Sequence, residues 1–162
     1  MSTSPTVTPR SRLLRMSALV VAVSAAALVA GNATRAEAAP PEVISRWNNE
    51  LVHSNSISPG FSTFLGAGAY TITAKLSAAN QGASAIAYTC TISAAGGAAT
   101  DQAPVTLAPH ATQSLSLNVV HHFPSTGQLS FACTKPAGSP TVRMQHIKIT
   151  AIKVNSVDNQ PF

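Results

Sequence analysis

His121-His122 is the most suggestive polar pair in the chain, and His53, His110 and His146 could each complete a zinc or copper site around one of the two. Neighbouring residues on a strand point to opposite faces, so one ion could use only one member of the pair. The competing reading is a solvated pair at a strand end, just ahead of Phe123-Pro124. Carboxylates are scarcer: beyond residue 38 the chain carries only Glu42, Glu50, Asp101 and Asp158. Glycoside hydrolysis needs two such groups flanking a cleft, and Glu50 with Asp101 is the pair away from the chain ends.

Other chemistry-bearing patterns fail on their own terms. Gly66-Ala67-Gly68 begins like a phosphate-cradling loop, but the sixth position is Thr71 and a strand pattern follows where a helix N-terminus is needed. Gly82-Ala83-Ser84-Ala85 begins like a hydrolase nucleophile elbow, yet Ile86 stands where a second glycine must relieve the turn. Nothing in the sequence calls for a cofactor. For ligand contact the candidates are Trp47, Asp101 and Phe123. Trp47, the sole tryptophan, is either a stacking platform for a sugar or partner, or part of a core otherwise poor in aromatics.

The two cysteines carry a firmer expectation. Cys90 shares its parity with Ile86, Tyr88 and Ile92, and Cys133 with Leu129 and Phe131, so both thiols face the core. Two inward cysteines in an exported chain pair with each other, closing a 43-residue separation. A redox-active pair would want the C-x-x-C spacing, which is absent.

Export is read from the first residues. Arg10, Arg12 and Arg15 precede an apolar run from Met16 to Gly31, and Ala36-Glu37-Ala38 supplies a small-x-small cleavage pattern. Residues 1–38 are thus expected to be a secretory signal peptide and 39–162 a single secreted domain, free of the membrane after cleavage. The alternative, an uncleaved anchor, is disfavoured because a spanning helix needs about 20 apolar residues. Beyond the cleavage point six basic residues face four acidic ones. With no cluster of Lys or Arg in that part, nucleic-acid binding is not expected.

The elements that must position these groups are strands. Tyr70, Ile72, Ala74 and Leu76 alternate with Thr71, Thr73, Lys75 and Ser77, and Leu115, Leu117 and Val119 alternate with Ser114, Ser116 and Asn118. Turn residues at Gly66 to Gly68, Asn80 to Gly82, Gly96-Gly97, Pro109-His110, Ser125 to Gly127 and Pro136 to Pro140 separate such segments. The pattern predicts an all-β chain folded as an antiparallel β-sandwich or barrel, and about 120 residues suffice for one sandwich. Val43 to Trp47 is expected as a short strand ended by a turn at Asn48-Asn49, with a helix as the competing reading. Pro104 to Leu107 is expected at an edge. From Val142 to Val154 the alternation loses phase, which a bulge near His146 or burial on both faces would explain.

The segments Leu65 to Asn80, Tyr88 to Gly97, Ser116 to Cys133 and Ile147 to Val154 resemble a group of small secreted actinobacterial proteins of unknown function. Gly66 replaces a proline usual there, and Asp101 lies further beyond Gly96-Gly97. The resemblance implies a jelly-roll-like sandwich and brings no activity with it.

The function expected from all this is a secreted, extracellular, non-enzymatic binding or cell-surface module, with an extracellular protein or glycan as partner. A self-associating structural protein of the extracellular or spore surface, a homo-oligomer, is the alternative, and an enzyme or metal protein the third. Specificity is expected in the loops Gly96 to Asp101 and Pro136 to Pro140.

Overall fold

The computed structural model describes residues 42–160, so the expected signal peptide and its cleavage point lie outside the described residues. Among the described residues there are eight strands: β1 (Val43–His53), β2 (Gly60–Leu65), β3 (Gly68–Asn80), β4 (Ile86–Ala94), β5 (Ala99–Leu107), β6 (Thr112–Phe123), β7 (Gly127–Thr134) and β8 (Val142–Val154). A single 3-10 turn, Ala95–Gly97, joins β4 to β5. Its two glycines take φ of 67° and 105°, a region that side chains disfavour and that lets the chain reverse within three residues.

The strands form two four-stranded antiparallel sheets, ordered β1-β8-β3-β6 and β2-β7-β4-β5. Only the β4–β5 connection stays within one sheet; the others cross between sheets, which makes the sandwich a jelly roll. The registers put connections 54–59, 81–85, 108–111 and 135–141 at one end, and 66–67, 95–98 and 124–126 at the other. The Gly96 and Pro136 loops therefore lie at opposite ends and cannot share one binding surface.

Period-two alternation becomes a core because one face of each sheet is apolar. Tyr70, Ile72, Ala74 and Leu76 from one sheet meet Ile86, Tyr88, Ile92, Leu129 and Phe131 from the other, all buried. Within this layer the disulfide joins Cys90 to Cys133 across the neighbouring strands β4 and β7, with Cα atoms 4.0 Å apart. It ties one sheet internally and does not bridge the two. Asn80, 1% exposed, fastens the end carrying four connections. Its amide nitrogen donates to the carbonyls of Ser84, Leu107 and Ala108, and its amide oxygen accepts from the Gly82 N–H.

The phase loss in β8 is a bulge. His146 has φ 54°, the register on β3 shifts between Lys75 and Ser77, and Val142 and Met144 are buried on one parity but Ile147, Ile149 and Ala151 on the other. Opposite it, Asn49 drops out of the β1–β8 pairing. The expected turn at Asn48-Asn49 is thus part of one continuous strand, Val43–His53, and the helical alternative is wrong there. The bulge also corrects the core reading of Trp47. Although Trp47 shares parity with inward Leu51, the parity flips between them, so Trp47 pairs with Lys148 on the solvent face and is 71% exposed. Pro104 does sit on an edge strand, β5.

Candidate functional site

The two lateral edges of the sandwich differ. On one side β5 packs directly on β6, and the Asp101 carboxylate on β5 accepts the Asn118 N–H of β6 at 2.8 Å. Its other oxygen accepts the Gln102 N–H, so Asp101 stitches this edge shut from within the fold. On the other side β1 and β2 scarcely touch. The gap between them is a groove of about 240 Å³ with Leu51, Phe61, Phe131, Ile147 and Ile149 along it and Arg46 and Trp47 among its walls. Phe131, Ile147 and Ile149 belong to the buried core, so the groove opens onto core side chains.

Beyond Pro59 of this groove, at the end carrying the four connections, Ser58 belongs to a second, polar cleft of about 310 Å³. His53, the last residue of β1, stands there with Ser54, Ser56, Thr134 and Lys135. The His53 ring is 4% exposed, and its Nδ1 lies 3.1 Å from Tyr88 Oη in the core. Burial first, and the nearby Lys135 ammonium second, hold its pKa below the ordinary histidine value. Burial pushes the Tyr88 phenol up. Lys135 Nζ donates to Asn55 Oδ1 at 2.8 Å and to the Ser139 carbonyl at 3.0 Å, with a longer contact of 3.3 Å to Ser139 Oγ. Ser54 Oγ accepts the N–H groups of Ser56 and Ile57, which fixes the loop that carries the hydroxyls.

The residues singled out from sequence fare differently. Phe123 is fully buried, edge-on to Tyr70 and to His121 with ring centroids 5.9 and 4.6 Å away, so it is a core residue and the expectation of ligand contact is corrected. Asp101 is spent on backbone hydrogen bonds. Glu50 lies on β1 at the opposite edge, ion-paired with Arg143 at 2.7 Å, and that hydrogen bond lowers its pKa. The fold therefore keeps Glu50 and Asp101 on opposite sides, and they flank no common cleft. His121 turns inward and is half-buried while His122 faces solvent, as strand alternation requires. His53, His110 and His146 sit on β1, on the β5–β6 connection and at the β8 bulge, and among the described residues no three His, Cys, Asp or Glu side chains converge as a metal site would need. Trp47 is the ligand-contact candidate that borders an open site.

Sequence reading missed Lys135 and the serines around His53. The available signal was a polar, proline-ended run, Ser54 to Pro59, directly after a strand-terminal histidine.

No protein-family model matches the chain, and no curated protein matches it. Among solved structures it is similar to a mutant VP2 protein of infectious bursal disease virus in T=1 particles, at 11% identity and a TM-score of 0.37. The match takes in 70% of this chain and spans 36% of that one.

Proposed function

We infer that the chain is an exported, non-enzymatic binding module whose extracellular partner, a protein or glycan, docks along the open β1–β2 edge. The observation that supports this is the asymmetry of the sandwich: one edge is closed by Asp101, while the other leaves an apolar groove beside an exposed tryptophan. Exposed aromatics beside apolar grooves are effective anchors, since they lose little conformational entropy on docking. A self-associating role is less favoured by the geometry. The unpaired edge strand β1 carries Arg46 and Glu50, charges that blunt strand-to-strand addition.

Because Trp47 is the sole tryptophan, its emission reports on this edge directly. Titrating the protein with a panel of soluble glycans and extended peptides should find a ligand that shifts or quenches that emission, and Trp47→Ala should weaken its binding by calorimetry. Ligands that bind without altering Trp47 emission, and equally well in Trp47→Ala, would place the binding surface elsewhere.

A further inference from the structure

We propose that the polar cleft beside His53 binds hydroxylated carboxylates, sugar acids of the uronic type, with Lys135 as the carboxylate-binding group. The inference rests on the binding-module reading and gives one part of that surface its chemistry.

Charge carries the first step. Lys135 is anchored by neutral acceptors only, and no residue lining the cleft is acidic. Among the described residues the one ion pair joins Glu50 to Arg143, outside this cleft. The Lys135 charge is therefore uncompensated among the described residues, and after burial it is the second influence that holds the His53 pKa down. A carboxylate placed in the cleft would remove that imbalance.

Geometry carries the second. Three contacts hold Lys135 Nζ, and the longest goes to Ser139 Oγ, which already donates to the Pro136 carbonyl at 2.6 Å. An arriving carboxylate oxygen can take that position while Asn55 Oδ1 and the Ser139 carbonyl keep the ammonium aimed. The lysine is preorganised, so little side-chain entropy is lost on binding.

The lining carries the third. Ser54, Ser56, Ser58 and Thr134 offer hydroxyls that donate and accept, matching a polyol. A volume of about 310 Å³ sits at the lower end for small-molecule sites, which run from about 300 to 1,000 Å³. A single cation held by neutral groups suits one carboxylate better than a doubly charged phosphate, which calls on several N–H donors or arginines.

His53 makes the site pH-sensitive. The groups facing it are Tyr88 from β4 and Lys135 after β7; the Arg143 of β8 pairs beside it on the outer face with Glu50. A bound carboxylate favours the imidazolium, so binding should strengthen as pH falls toward the His53 transition, and ligand should raise that transition in return.

The test uses the full chain with three probes: galacturonate, its neutral counterpart galactose, and inorganic phosphate. Calorimetry should show stoichiometric binding of galacturonate and none of galactose, and NMR titration should show the His53 ring transition moving upward when galacturonate is present. Lys135→Gln should weaken galacturonate binding by about tenfold or more, with Lys135→Arg restoring most of it. Equal binding of galactose, preference for phosphate, or galacturonate affinity unchanged in Lys135→Gln would overturn the proposal. So would an unmoved His53 transition, or no binding at all by a folded protein. Failure here leaves the Trp47 titration unaffected, so the two readings fail separately.

Discussion

His53 Nδ1 and Tyr88 Oη meet at 3.1 Å where the last residue of β1 reaches across to the core row of β4. The contact spans the two sheets, so it couples the polar cleft to the layer that contains the disulfide. Neither group has a nearby acid to stabilise a positive charge on the imidazole, and Lys135 opposes one.

This makes stability depend on pH through His53. Its folded pKa lies below the ordinary 6.5, so the unfolded chain takes up a proton first as pH falls. Stability is full above about pH 6.5 and declines below it, until the folded-state imidazole also protonates. Urea midpoints measured from about pH 7.5 to pH 5 should fall in the wild type and flatten in His53→Gln. The hydrogen bond from Arg143 holds the Glu50 carboxyl below its ordinary value, away from that interval. A fall of the same size in His53→Gln would remove His53 as the cause.

The disulfide gives a second expectation. Closing a 43-residue separation restricts the unfolded chain, so Cys133→Ala should lower stability by about 4 kcal/mol. Thiol titration of the unfolded, unreduced wild type should find none. Two reactive thiols there would mean that the bridge does not form.

How much of this could be read beforehand depended on whether the cause was local. The inward parity of Cys90 and Cys133 needs only the alternation of their own strands, and the bulge in β8 announces itself as a phase change near His146. Its effect on Trp47 is different, because it is transmitted through the β1–β8 pairing, and no property of β1 alone reveals that Asn49 will drop out of register. The cleft has the same character. His53 and Lys135 become neighbours only when β1 and β7 end on the same side of a jelly roll, and the closing role of Asp101 depends on β5 meeting β6.

Asn80 should be the costliest polar residue to lose. Its amide donates to three carbonyls, those of Ser84 and Ala108 in two connections and of Leu107 at the end of β5, and alanine would leave them short of donors at a site that is 1% exposed. A loss of about 3 kcal/mol is expected for Asn80→Ala, read from the urea midpoint. A loss under about 0.5 kcal/mol would show that water replaces the amide without penalty.

Trp47 and Phe123 provide the sharpest contrast, because sequence suggested that each could contact a ligand and the fold assigns them opposite roles. Phe123 is fully buried between Tyr70 and His121, so Phe123→Ala removes a core ring and should destabilise the domain by about 3–5 kcal/mol. Trp47 is 71% exposed on the solvent face of β1, and Trp47→Ala should leave stability within about 0.5 kcal/mol. Binding should show the reverse order: a ligand of the open edge should be weakened by Trp47→Ala and should bind folded Phe123→Ala normally, since that ring belongs to β6, the strand farthest from β1 in its sheet. Urea midpoints and calorimetry on the same two variants decide both halves. Marked destabilisation by Trp47→Ala would mean that the tryptophan supports the fold, and the open-edge reading would lose its anchor.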